Sequence, residues 1–245
     1  MITVISKHLP RSARFLGGKA DERFLALIHI VEACRYHLHR FEILASSPNC
    51  SSIPRGFEPG IDIDDRQELF HLYNFMTSWF EIESFLLMAK RFLDQCWCLF
   101  GDSLGNGTEK IDTLTKAMSE KNLLQTLKTQ DLVNKILEDS YYQELKKVWE
   151  SWGQELVYMR NYAEHKISMG GLTFNELKIS MLKGKQTFDI FLPDVIPTRY
   201  NTIGKRNFTF KKQRSLTQYM VDRMHDIDKL MEKLFPIDRE HPLVK

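Results

Sequence analysis

Hydrophobic positions along this chain recur mostly at three- and four-residue steps, the spacing of amphipathic helices. Residues 21–45, DERFLALIHIVEACRYHLHRFEILA, contain no Gly or Pro and place Leu27, Ile30, Val31, Cys34, Leu38 and Phe41 on one stripe. Asp21 and Glu22 suit the positive end of that helix's dipole. The run SSPNCSSIPRGFEPG then collects Pro, Gly and Ser and reads as a surface loop. Asp62, Asp64 and Asp65 introduce a second long helix, running to about Phe100 and ended by GDSLGNGT. Its stripe of Leu69, Leu72, Tyr73, Met76, Phe80, Ile82, Phe85, Leu86 and Phe92 is wide enough for burial on more than one side.

Two shorter helical stretches follow, near 109–120 and 129–138. A third long helix is predicted over 140–167, with Leu145, Val148, Trp149, Trp152, Leu156, Met159 and Ala163 facing a core. Gly170-Gly171 stops it, where a left-handed cap is expected. The period then changes from helix to strand. LTFNELKISML and KQTFDIFL, joined around Lys183-Gly184-Lys185, predict a β-hairpin. After the breaks at Pro193 and Pro197, an irregular basic stretch leads to a last helix at about 214–235. No internal repeat is visible. The predicted fold is mainly α: a single multi-helix bundle domain over 1–245, with a β-hairpin and basic insertion at about 172–212 before the C-terminal helix.

Composition narrows the function classes only slightly. With 245 residues and a hydrophobic fraction of 43%, the chain has an ordinary globular composition, which excludes a disordered tail, a collagen-like rod and a low-complexity segment. Lys+Arg 34 against Asp+Glu 32 leaves a formal charge of +2, so any attraction to nucleic acid must come from a local patch. Cys34, Cys50, Cys96 and Cys98 lack zinc-finger spacing and read as small hydrophobes in a reducing compartment. Lys7, Arg11 and Arg14 have no apolar core behind them, and no run reaches the length of a membrane span. A soluble, cytoplasmic protein without a membrane partner is expected.

The informative stretch is Arg160-Asn161-Tyr162-Ala163-Glu164-His165, at the end of the third long helix. At about 100° per residue, Arg160, Glu164, Asn161 and His165 fall at about 0°, 40°, 100° and 140°, while Met159 and Ala163 lie opposite. The i,i+4 spacing lets Asn161 hold the His165 imidazole and lets Arg160 and Glu164 restrain each other. One helix face thus carries a cation, a base that titrates near neutral pH and a positioning amide, a sufficient set for phosphodiester chemistry.

Arg, then Asn, then His four residues further on, at the end of a long helix in a helical bundle, resembles the HEPN nuclease motif. The resemblance implies a bundle that dimerises so that two copies of the motif face each other. It also implies a metal-independent endoribonuclease with no cofactor. His165 would be the general base or acid at a ribose 2′-hydroxyl, Arg160 would bind the scissile phosphate, and Asn161 would orient one or the other. The products would be a 2′,3′-cyclic phosphate and a 5′-hydroxyl, and DNA would resist cleavage. The setting implied is a toxin or antiphage effector, with an antitoxin or other regulatory protein as a possible partner. Arg and His with four to six residues between them also occur at Arg23/His29 and Arg66/His71, without the following Asn.

A second feature is Lys205-Arg206-Asn207-Phe208-Thr209-Phe210-Lys211-Lys212-Gln213-Arg214. Its cations can track a phosphate backbone while its aromatics stack on bases, which marks Lys205, Arg206, Lys211, Lys212 and Arg214 as candidate RNA-binding residues. The competing reading is a solvated strand and loop with Phe208 and Phe210 anchored in the core. His37-Leu38-His39 points its rings to different faces, and Asp62, Asp64 and Asp65 suit helix capping better than a metal. The aromatics Tyr73, Phe75, Trp79, Phe80 and Phe85 suit a core or a dimer interface. The reading is a homodimeric endoribonuclease acting on single-stranded RNA; the alternatives are a non-catalytic helical module binding RNA or protein, and a structural subunit.

Overall fold

The computed structural model describes residues 19–46, 66–104, 108–165, 176–182, 185–196 and 209–235. Helix α1 spans Lys19–Ser46 and α2 spans Arg66–Leu104. A 3-10 turn at Thr108–Lys110 leads to α3 (Leu114–Ala117), α4 (Glu120–Leu127), α5 (Gln130–Glu138) and α6 (Ser140–Val148). A wide π turn at Trp149–Gly153 joins α6 to α7 (Gln154–His165). Strands β1 (Glu176–Leu182), β2 (Lys185–Leu192) and β3 (Arg214–Ser215) precede the final helix α8 (Leu216–Leu234). The architecture is the mainly α bundle that the pattern predicts, with an antiparallel β-hairpin before the C-terminal helix.

The hairpin pairs Glu176 with Phe191 through Leu182 with Lys185. The two-residue strand β3 adds to it, setting Ser215 opposite Phe191 and Arg214 opposite Leu192. The pattern did not predict this third strand. It starts the helix two residues later than the apolar spacing suggests, at Leu216, and brings the end of the basic stretch onto the sheet.

The chain forms two compact units. The first draws on the described residues of Met1–Glu32, Ala89–Gln154 and His225–Lys245. Phe24, Leu27 and Val31 of α1 are buried there, as are Ala89, Phe92, Leu93, Cys96, Trp97 and Phe100 of α2. Three aromatic side chains that enter this core find backbone partners for their polar atoms: the Trp97 indole donates to Ile111 O at 2.6 Å, Tyr141 OH to Cys96 O at 3.0 Å and Tyr142 OH to Ala117 O at 3.3 Å. Side chains supply the helix caps missing from the chain's own ladder. Thr113, Ser119 and Asp139 accept from Lys116, Asn122 and Tyr141 N–H at the starts of α3, α4 and α6. The Ser119 cap is why a separate helix occupies 120–127, between the two short stretches that the periodicity predicts. Leu123 and Leu127 anchor it, and Lys128, at φ 57°, ends it.

The second unit draws on Ala33–Met88 and Glu155–Met224. Cys34 and Phe41, Trp79, Ile82, Phe85 and Leu86, and Leu156, Val157 and Met159 are buried in it, with Ile190, Leu192, Leu216, Tyr219 and Met220. Phe80, predicted on the α2 core stripe, is instead 60% exposed. The buried positions on α2 run through Trp79, Ile82, Phe85, Leu86 and Ala89. Phe80 is two residues from Ile82, about 200° around the axis, and falls on the far side.

The predicted helix over 140–167 runs without a break through the described residues to His165, but takes one π turn on the way. Gln154 N–H bonds to Trp149 O, five residues back, which widens the turn. Gly153 permits the close packing there: a Cβ at this position would sit 3.3 Å from both Leu93 Cδ1 and Val148 O. Arg160 and the residues after it lie wholly downstream, so the wheel drawn for them at 100° per residue is unaffected. Gly153→Val is expected to lower unfolding free energy by about 1–3 kcal/mol in urea titrations, because overpacking outweighs the gain in helix propensity. An unchanged midpoint would show that the turn has room to spare.

Candidate functional site

Helix α7 is buried beside its motif as well as opposite it: Met159 lies opposite, but Val157 falls at about 60° on the same wheel, between Arg160 and Asn161. Leu156, Val157 and Met159 are buried, whereas Arg160 and Asn161 remain partly exposed. Arg160 Nη1 donates to Asn161 Oδ1 at 3.1 Å. A guanidinium has donors only, so the amide must turn its oxygen toward Arg160, which leaves the Asn161 NH2 as the donor available to a substrate or base. The i,i+4 pairings expected on the wheel involve Glu164 and His165. The backbone of both residues completes α7, and their side chains lie outside the described residues, as do Gly170 and Gly171.

The basic stretch is divided in the same way. Lys205, Arg206 and Phe208 lie outside the described residues; Lys211, Lys212 and Arg214 lie within them. Lys211 and Lys212 are exposed, on a turn closed by Asp194. Asp194 Oδ2 accepts from Thr209 Oγ1 at 2.8 Å and from Lys211 N–H at 3.0 Å, and Oδ1 accepts from Lys212 N–H at 2.8 Å. Asp194 N–H donates in turn to Thr209 O at 2.8 Å. Gln213 sits in the left-handed region at φ 47°, and its side-chain amide bonds to Phe210 O at 2.7 Å. Desolvation pushes the Asp194 carboxyl upward, but the Lys212 amide, the Thr209 hydroxyl, the Lys211 amide and the Lys212 charge outweigh it and hold the group below the ordinary carboxylate value.

Arg214 is tied into the same unit. Its Nη2 bonds to Glu155 Oε1 in the first turn of α7, and its Nη1 donates to Pro193 O at 3.2 Å. This guanidinium fixes the end of the basic stretch against the start of the motif helix. Phe210 is half-buried. Sequence reasoning missed Asp194 and Glu155. Neither belongs to a periodic pattern, and each meets its partners 15 to 59 residues away.

The remaining candidates have structural partners. Arg23 forms an ion pair with Asp102 at 2.5 Å. Glu81 meets His37 Nδ1 at 2.7 Å and Arg40 Nε at 3.7 Å, while His39 lies on the exposed side of α1. Cys34 and Cys96 are buried free thiols; burial pushes the Cys96 thiol far up and raises Cys98 as well, which leaves neither poised as a nucleophile. Asp62, Asp64, Asp65 and Cys50 lie outside the described residues. Among the described residues no group of three His, Cys, Asp or Glu side chains could hold a metal ion, and no helix is long and apolar enough to cross a membrane.

The Asp194 turn has a defined pH dependence. The folded state favours the ionised carboxylate more than the unfolded chain does. Its contribution is therefore full above the unfolded value near 3.8 and is lost as pH falls through the lower folded value. In a carboxyl NMR titration the Asp194 midpoint should lie below 3.8 and move upward in Thr209→Val. A midpoint at or above 3.8 in the wild type would show that the turn does not form as described.

Comparisons with known protein families, with curated proteins and with solved structures found no match for this chain, so its function has to be read from its own residues.

Proposed function

We propose that this chain is a HEPN-like endoribonuclease that cleaves single-stranded RNA by attack of the ribose 2′-hydroxyl, without a metal or other cofactor, and works as a homodimer. The observation that carries the reading is the Arg160–Asn161 pair. The two side chains are bonded to each other on the partly exposed face of α7, backed by buried Met159 and followed at helical spacing by His165.

In this reading His165 takes the proton from the 2′-hydroxyl, and the 2′-oxygen attacks phosphorus while the bond to the 5′-oxygen breaks. The leaving 5′-oxygen acquires a proton, and the RNA is left with a 2′,3′-cyclic phosphate. The Arg160 guanidinium stabilises the charge that builds on the non-bridging oxygens. Asn161 holds that guanidinium in place through its amide oxygen. Lys211 and Lys212, with Lys205 and Arg206, bind the backbone on either side of the scissile bond, and Arg214 anchors their segment. Exposed Tyr36, Ile43 and Phe80, in the same unit as the motif, supply apolar surface of the kind found at the centre of dimer interfaces. The HEPN resemblance, rather than the chemistry, is what suggests a toxin or antiphage effector, with an antitoxin or other regulatory protein as a possible partner.

The exposed lysines of the Asp194 turn equally suit the second reading, a non-catalytic RNA-binding module. Incubation of wild type and His165→Ala with single-stranded RNA in EDTA, followed by end-group analysis, separates the two. The enzyme reading expects cyclic-phosphate ends and a loss of about 10²–10⁴-fold in rate for the variant, with its thermal melt unchanged. Intact RNA with both proteins, each still binding it, would favour the module.

A further inference from the structure

We propose that Asp194 is the positioning residue of the RNA-binding segment: its carboxylate holds residues 209–213 in the one turn that directs the Lys211 and Lys212 ammonium groups toward the substrate backbone. The proposal rests on the reading of this segment as an RNA-binding element, and adds to it a residue that carries the opposite charge.

The geometry is that of a clamp. Both carboxylate oxygens are used, on three donors contributed by Thr209, Lys211 and Lys212. The Asp194 N–H closes the ring on Thr209 O. A left-handed residue such as Gln213 costs a non-glycine side chain conformational energy, and it persists where surrounding bonds determine it. Gln213 N–H and its side-chain amide both bond to Phe210 O, and Arg214 is fixed to Glu155 and Pro193 immediately afterwards. The two lysines between these ties are exposed, and neither ammonium is in an ion pair among the described residues. Binding to an ordered backbone also spares RNA the cost of ordering a loop.

A bystander carboxylate and a positioning carboxylate predict opposite signs. Asp194→Asn removes a negative charge beside a basic segment, so a purely electrostatic role would tighten binding to a polyanion. It also places an amide NH2 against N–H donors and leaves one acceptor where there were two. A positioning role therefore weakens binding although the protein becomes more positive.

The test measures affinity of full-length wild type, Asp194→Asn and Asp131→Asn for a single-stranded oligouridylate across a salt series, with amide exchange at Lys211 and Lys212 followed in the same proteins. Asp131 is an exposed acid in the first turn of α5 and controls for charge alone. The proposal expects Asp194→Asn to bind about 3- to 10-fold more weakly, with the salt slope reduced by about 0.7 for each lysine that no longer reaches a phosphate, and with faster exchange at both amides. Asp131→Asn is expected to bind as tightly as wild type or slightly tighter. Equal or tighter binding by Asp194→Asn, or unchanged amide exchange, would overturn the proposal while the RNA-binding reading stands. No salt-sensitive binding by wild type would overturn both, and is distinguished by the wild-type arm alone.

Discussion

Burial of the apolar face of α2 is the constraint on which the rest of the structure depends. From Trp79 to Phe100 its buried side chains recur at three- and four-residue steps, and Ile82, Phe85, Leu86, Ala89, Phe92, Cys96 and Trp97 are fully enclosed. Each large side chain removed from water contributes about 1.5–3 kcal/mol, against roughly 0–1 kcal/mol for an exposed ion pair. That difference decides which residues fix the fold. The ion pairs on the helix exteriors adjust to positions set by the apolar stripe, and the polar atoms of Trp97, Tyr141 and Tyr142 find backbone carbonyls. Burial of Asp94 illustrates the cost when a charge is drawn in. Desolvation raises its carboxyl even though Lys90 and the Leu114 amide both bond to it.

The same logic places the candidate site. Met159 is buried because the apolar period of α7 demands it, so the residue that follows, rotated by about 100°, must lie toward the edge of the buried face. Arg160 and Asn161 therefore sit next to the buried side chains of Met159 and Val157 on α7. The basic turn is held on different terms. It has no apolar stripe of its own beyond half-buried Phe210, and its shape comes from one carboxylate, one left-handed residue and one ion-paired arginine.

This contrast explains how much was legible in the sequence. Long helices, the hairpin and the final helix were readable because each announces itself through a period that repeats several times. Single events were not readable. The π turn at Trp149–Gly153 looks in sequence like any other helical Gly, and Leu93, which comes close to Gly153 there, is sixty residues away. Phe80 broke the stripe because a wide hydrophobic run does not say which of its edges meets the core. At the candidate site the sequence identified Arg160 and Asn161 as neighbours on one face and paired them with Glu164 and His165, whose side chains lie outside the described residues. The bond between Arg160 and Asn161 themselves has no periodic signal, since it needs only a long guanidinium folding back onto the adjacent residue. Asp194 and Glu155 were invisible for a simpler reason: a carboxylate's partners across a turn or between elements leave no periodic trace.

The central claim is that the Arg160 guanidinium, held by Asn161, acts on a phosphodiester in its transition state. Single-turnover cleavage of a bound RNA by Arg160→Lys tests it most directly, because lysine keeps the charge but loses the planar fork that meets two oxygens at once. The account predicts a rate about 10²–10³-fold below wild type, with RNA affinity preserved within about threefold. Cleavage by Arg160→Lys at the wild-type rate, or absence of cleavage by wild type itself, would contradict it.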